Sequence, residues 1–300
     1  MRTVLIIGLS TAMLIQTGEG KRWEELGETV RNDAGQLTSL VITSSKVEDN
    51  DLEDSEDLVA LEGLRLGDAE SHNDGWQLTD AALARIDASQ NLLTLTLCGE
   101  GFTDRALLKI GRLTKLCNLD LCRTRVTDEG LKYLRRLSLQ TLVLTGTGIS
   151  GRGLSHIHKW KRLEYLTLDD TAVVDEALSH VAKFKFLKGL RLKNTRITDD
   201  GVKKISTLPT LERLELDGTA ITDVGIRHLE NMKKLKFLTL KGTKITDAAI
   251  PSLAILSGLD VLDLTDTRMT QSGIDKLRQL LTHTGVDGGD TGKDDWGDRG

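Results

Sequence analysis

Aromatic residues are scarce in this chain, at 3% of 300 residues. A single thick core of that length ordinarily needs large rings to fill irregular spaces. A thin core of many similar layers, filled by one branched aliphatic residue, fits this composition better. Proline is scarcer still, at two residues, which argues against a loop-rich sandwich and a proline-rich stalk. Three cysteines, an odd number, do not make a disulfide framework. Charge of one sign is missing too. The formal charge is −5, and the 40 Lys and Arg are spread along the chain with no block resembling a nucleic-acid footprint.

Catalytic arrangements are equally absent. No Gly-rich phosphate loop, Ser/His/Asp set or paired-carboxylate cleft emerges. The sequence therefore predicts no enzyme, no cofactor, no small-molecule substrate and no metal site. His156 and His180 share a column of the repeat described below, but surface histidines account for them. The acidic run Glu48–Asp57 matches no calcium-loop spacing and reads as a solvated helix face, with Leu52 and Leu58 in core slots.

Beyond residue 20 there is no long apolar run. Before it, Arg2 precedes Thr3–Ile15, which is nearly uncharged and apolar, and Thr17-Gly18-Glu19-Gly20 follows. Residues 1–20 are thus expected to be a signal peptide cleaved after Gly20, or else an N-terminal anchor. Export to the periplasm, the cell envelope or the exterior follows from that reading. Membrane contact is expected only if residues 1–20 stay as an anchor.

What the chain has in abundance is leucine in register. The blocks LKGLRLKNTRITDDGVKKISTLPT (187–210), LERLELDGTAITDVGIRHLENMKK (211–234) and LKFLTLKGTKITDAAIPSLAILSG (235–258) repeat with a period of 24. The first leucine of each unit falls at Leu37, Leu61, Leu92, Leu116, Leu139, Leu163, Leu187, Leu211, Leu235 and Leu259. The spacing departs from 24 twice: an insertion around 67–76 and a single deletion near Arg136–Ser138.

Each position has a physical reason. In LxxLxL the second and third leucines alternate with polar residues, as in a short strand with one buried face. A threonine column follows, including Thr124, Thr147, Thr195 and Thr243, whose hydroxyls can satisfy backbone groups of the adjacent turn. Thr-Asp pairs such as Thr198-Asp199 and Thr222-Asp223 supply a helix N-cap and a carboxylate at the helix start. Gly130, Gly201 and Gly225, or Ala249, stand two residues after the Asp, where close packing leaves little room. Trios such as Ile226, Leu229 and Met232 complete one apolar helix face. The expected organisation is an N-terminal cap over 21–36 with Trp23, Leu26 and Val30 at helical spacing, ten repeats over 37–281, and a disordered Gly/Asp-rich tail over 282–300.

This pattern resembles the leucine-rich-repeat family, in particular its short helical repeats of the ribonuclease-inhibitor-like and cysteine-containing class. The resemblance implies an α/β fold: a right-handed, horseshoe-shaped solenoid with a parallel sheet on the concave side and helices on the convex side. It also implies a protein partner bound on the concave face. Ser150-Gly151, Val174-Asp175 and Thr270-Gln271 depart from Thr-Asp, and Thr stands where many relatives have Asn or Cys.

The register also predicts which residues point outward. One column reads Glu164, Lys188, Glu212, Lys236, Asp260, and another reads Asp169, Lys193, Asp217, Lys241, Thr265. Alternating signs predict cross-strand ion pairs and no large field of one sign, which excludes nucleic acid from this face. The N-terminal half of the face is less charged and exposes apolar groups. The candidate partner-binding residues are His72 in the inserted loop with Leu93, Asn118, Asp120, Val143 and Tyr165. Trp76 of the insertion either plugs the second coil or belongs to that site. Cys98 and Cys122 share one column on adjacent strands, where spacing permits a bridge but parallel Cβ vectors strain it. The predicted function is a secreted or envelope-facing protein-binding module of unspecified partner. The alternatives are a structural or adhesive, glycan-binding envelope component and an F-box-like substrate receptor.

Overall fold

The computed structural model describes residues 23–52, 56–67, 77–84 and 86–288. Residues 1–20, most of the insertion including His72 and Trp76, and residues 289–300 lie outside that description.

Among the described residues, twelve strands form one sheet whose order follows the chain. They are β1 (Glu28–Arg31), β2 (Leu37–Ile42), β3 (Gly63–Leu66), β4 (Thr94–Leu97), β5 (Asn118–Asp120), β6 (Thr141–Val143), β7 (Tyr165–Thr167), β8 (Gly189–Arg191), β9 (Arg213–Glu215), β10 (Phe237–Thr239), β11 (Val261–Leu264) and β12 (Gly285–Gly288). From β2 onward every pairing is parallel and in register, so Phe237 lies beside both Arg213 and Val261. The leucine at the centre of each strand forms an unbroken inner column: Leu95, Leu119, Leu142, Leu166, Leu190, Leu214, Leu238 and Leu262 are at most 1% exposed. Burying a leucine contributes about 1.5–3 kcal/mol, and here each one packs on its copies in the next coils.

Short helices and 3-10 turns return each strand to the next, including Asp104–Ile110, Asp175–Val181, Asp199–Ile205 and Asp223–Leu229. Strands stack about 4.8 Å apart whereas helices need about 8–10 Å, so the stack curves with its sheet inside. The return segments at Asp49–Leu52, Glu56–Ala60 and Gly130–Arg136 are 3-10 rather than the expected α-helix.

The Thr-Asp pairs do more than cap helices. The Asp of one coil accepts the backbone N–H and the hydroxyl of the Thr one coil later. Asp199 takes Thr222 N at 2.8 Å and Oγ1 at 2.6 Å. The same two bonds join Asp49 to Thr79, Asp80 to Thr103, Asp104 to Thr127, Asp175 to Thr198, Asp223 to Thr246 and Asp247 to Thr270. Asp128 serves Ser150 likewise. The carboxylate lies where the next coil's glycine Cβ would be: a Cβ at Gly225 would sit 2.4 Å from Asp199 Oδ1. This explains the departures in the repeat. Where Gly151 replaces Asp, the Thr position of the next coil holds Val174, and Gln271 stands in the last coil, 23 residues before a position that is not Thr. Ala82, Ala106 and Ala249 stand at this position in the coils that follow Asp49, Asp80 and Asp223, so glycine is not required in every coil.

The threonine column behaves as the sequence predicts. Thr124, Thr147, Thr171, Thr195, Thr219, Thr243 and Thr267 each donate to the carbonyl three residues earlier, at 2.5–2.7 Å.

Two boundaries differ from expectation. The N-terminal cap is one helical turn, Trp23–Leu26, followed by β1 antiparallel to β2. Val30 is therefore not on a helix but 58% exposed on an edge strand, while Leu26 is buried. Gly27 permits the break, because its position against the Val41 carbonyl admits no Cβ. At the other end, the expected disordered tail begins too early, because residues 285–288 form β12 on β11. Val286 repeats Leu262 after 24 residues and is buried.

Asp199→Ala removes two hydrogen bonds to a carboxylate and is expected to cost about 2–3 kcal/mol in urea unfolding. Asp199→Ala combined with Thr222→Val should cost less than the two single changes added together; strict additivity would mean that the two groups do not act as a pair.

Candidate interaction face

Side chains one, two and four places after each first leucine face out from the sheet, and those six and seven places after it line the following turn. Strand register gathers them into columns. One contains Thr94, Asn118, Thr141, Tyr165, Gly189, Arg213 and Phe237, and its neighbour contains Thr96, Asp120, Val143, Thr167, Arg191 and Glu215. Five of the six candidate residues meet here on four adjacent coils: Leu93 just before β4, Asn118 and Asp120 on β5, Val143 on β6, and Tyr165 on β7. His72, the sixth, lies outside the described residues.

Tyr165 is 46% exposed and Leu93 is 41% exposed. A Cβ at Gly189 would lie 2.7 Å from Tyr165 Cδ1, so the ring lies across the space that this glycine leaves open. Asn118 Nδ2 reaches Thr94 Oγ1 at 3.4 Å. Asp120 accepts the Cys122 N–H at 3.0 Å. Burial raises the pKa of Asp120, against the opposing pull of that hydrogen bond and of Arg65.

Cys98 and Cys122 are joined in a disulfide, with Cα atoms 5.2 Å apart. The bridge ties the turns after β4 and β5 beside the candidate patch. Cys117 is free.

The C-terminal half holds the charges. Lys188 pairs with Glu164 at 2.8 Å and Lys236 with Asp260 at 3.9 Å, two of the four pairs that the alternating column predicts. The second column is less regular. Lys193 pairs with Asp217 at 3.0 Å, but its ammonium also takes Glu215 at 2.8 Å. Asp169 receives the Arg191 side chain at 2.6 Å and the Lys193 backbone N–H at 2.8 Å. The ladder expected within single columns is thus a cluster across columns. Arg191 and Glu215, its centre, were legible in the strand register but were not singled out. Burial raises the pKa of Asp169, against the pull of the Lys193 backbone N–H and Arg191. Beside the cluster, the Arg213 guanidinium stands 4.5 Å from the Phe237 ring centroid, a cation–π contact.

A further column went unread in the sequence. From Leu116 onward, the residue seven places after each first leucine has positive φ: Arg123, Asp170, Asn194 and Asp266 at 54–56°, and Gly146, Gly218 and Gly242 at 66–69°. Gly, Asn and Asp are the residues suited to this left-handed turn, and their recurrence was the available signal. Arg123 is the exception, next to Cys122.

Among the described residues no group of His, Cys, Asp and Glu could hold a metal ion, and no helix is long and apolar enough to cross a membrane. Two shallow depressions, one around Asp175, Lys204 and Thr207 and one around Glu48–Asn50, lie away from the strand face.

The family model described as Leucine Rich repeat matches residues 185–206 and 207–229. No curated protein matches the sequence. Among solved structures, the fold is similar to an internalin (inlF) from Listeria monocytogenes, at 22% identity over 84% of this chain and 82% of that one, with TM-score 0.57. It is similar to internalin C2 (inlC2) from the same organism, at 22% identity over 74% and 88% of the two chains, with TM-score 0.53. It also resembles a chain of the mouse RP105/MD-1 complex, at 16% identity, covering 77% of this chain and 43% of that one, with TM-score 0.50.

Because burial raises the folded-state pKa of Asp120, its charge opposes folding above that pKa and the penalty disappears as pH falls through it. Wild type should therefore gain stability relative to Asp120→Asn on acidification from about pH 7 to about pH 4, measured by urea midpoints at each pH. A parallel pH dependence of the two proteins would rule out this account of Asp120.

Proposed function

We propose that this chain, a member of the leucine-rich-repeat family, is a non-enzymatic module that binds another protein on its concave strand face, outside the cytoplasm. The observation that carries this reading is the exposed Tyr165 ring laid over Gly189, with Val143 one coil earlier and the exposed Leu93 three coils earlier on the same face. Nothing in the packing of a solenoid requires apolar groups on this side of the strands. A rigid ring at the centre of a flat, hydrogen-bonded sheet is the kind of anchor on which protein interfaces concentrate binding energy. Asn118 and Asp120 supply polar partners beside it, and the disulfide holds their strand against β4. His72, within the insertion at residues 67–76 of the sequence, is included in the proposal on the sequence reading alone.

The fold similarity to internalins and to a chain of the mouse RP105/MD-1 complex supports an interaction scaffold. The nearly uncharged, apolar segment Thr3–Ile15 supports export. A glycan-binding envelope component is the weaker alternative. Sugar recognition stacks on free ring faces, and Arg213 occupies one face of Phe237.

The test is affinity capture from the native extracytoplasmic fraction, comparing wild type with Leu93→Glu/Val143→Glu/Tyr165→Ala, whose folding is checked by circular dichroism. A protein retained by wild type should be lost by the folded variant, and Tyr165→Ala alone should weaken its affinity about tenfold or more. Equal retention by both proteins would move the site off these strands.

A further inference from the structure

The helix-to-strand turns run along one edge of the solenoid, and four consecutive turns there differ from the rest. Residues 111–115, 134–138, 158–162 and 182–186 (GRLTK, LRRLS, HKWKR and AKFKF) contain nine Lys and Arg and no Asp or Glu. The chain as a whole carries −5. All nine side chains are exposed. In the repeat register Arg112, Arg136, Lys159 and Lys183 form a single column, each preceding a buried residue: Leu113, Leu137, Trp160 and Phe184. Among the described residues, Arg136, Lys159, Lys161, Arg162 and Lys183 form no ion pair with a carboxylate.

Helix dipoles favour cations at helix C-termini, but they do not explain this concentration. The turns at 206–210 (STLPT) and 254–258 (AILSG) follow comparable helices and carry no charge. Phe186 is the second unusual feature. It stands in the column that holds Arg162 one coil earlier, and it is 57% exposed among the lysines.

From these observations we infer that this edge docks on an anionic phospholipid bilayer, with the cations over the headgroups and the Phe186 ring in the interface. A ridge of separated cations without an enclosing pocket suits a diffuse anionic surface better than a single bound anion. A protruding ring amid lysines suits an interface that is charged outside and apolar beneath. The inference does not depend on the concave-face reading, because the two surfaces share none of the residues named for them. It departs from the sequence-based expectation that membrane contact resides in residues 1–20 alone.

The experiment is co-sedimentation of the full chain with phosphatidylcholine vesicles, with and without phosphatidylserine. An apolar segment at residues 1–20 would bind both vesicle types, so the readout is the ratio between them. Anionic vesicles should be preferred by at least about tenfold at low salt, with the preference collapsing as the Debye length shrinks. Arg136→Gln/Lys159→Gln/Lys183→Gln should lower binding to anionic vesicles about 100-fold, at about fivefold per cation. Phe186→Ser should weaken binding at every salt concentration alike. As a control, Arg196→Gln/Lys244→Gln/Arg268→Gln neutralises exposed cations beside the helix starts, and it should change nothing. No preference for anionic vesicles, or equal losses in the two triple variants, would overturn the inference. Retention of the chain on a sulfated polysaccharide together with absence from all vesicles would also overturn it, in favour of a soluble polyanion.

Discussion

The bond from each aspartate to the threonine one coil later governs this structure. It is a recurrent side-chain hydrogen bond between coils on the helical side, and it satisfies a backbone N–H at the start of most helices while fixing the distance to the next. One carboxylate thereby sets the Thr it holds, and in several coils it fills the space where a Cβ at the following Gly would stand. The coil that lacks it shows the link between carboxylate and hydroxyl, since Gly151 and Val174 change together and the Val174 backbone still bridges to Arg196. A hydroxyl or carboxylate left without its partner costs more than the pair contributes, so substituting both members is the less costly solution.

With the helical side held at one coil per step, the strand side follows. In-register parallel pairing places each residue beside its copy 24 positions away, so surface properties are written down columns and not along the chain. That is why Tyr165 can lie over Gly189, and why Asp169, Arg191, Lys193 and Glu215 gather although they span three repeats. Such a cluster is balanced in charge, and its buried carboxylates add rigidity to the sheet more than net stability.

Period, strand positions, core leucines and the capping role of Thr-Asp were all legible, because each rests on a local rule repeated ten times. Repetition averages out the exceptions that obscure a single helix or strand. Legibility failed where the rule occurs once. The N-terminal Trp23, Leu26 and Val30 do fit a helical spacing, but Gly27 and the β-branched Thr29-Val30 favour a strand once β2 offers an edge to pair with. The last strand was hidden because Gly285, Asp287 and Gly288 resemble linker residues; only Val286 keeps the register. Placing five of the candidate residues on one face required nothing beyond the period. The charge cluster required knowing that long side chains cross between columns, and spacing alone does not carry that information.

The same column logic decides what a composition can conceal. Nine cations that come two or three to a turn, in turns about 24 residues apart, make no long basic run in the sequence, yet the fold sets them on one edge. Opposite them, at the helix starts, stand the aspartates of the coil-to-coil bonds, whose charge is committed to backbone N–H groups. A solenoid can therefore be acidic overall, balanced on its strand face and basic along one edge, with each property held by different positions of one repeat. Because those positions do not contact one another, selection can change one surface while the ladder that stacks the coils remains intact, and this separability makes two independent docking faces compatible with a single fold.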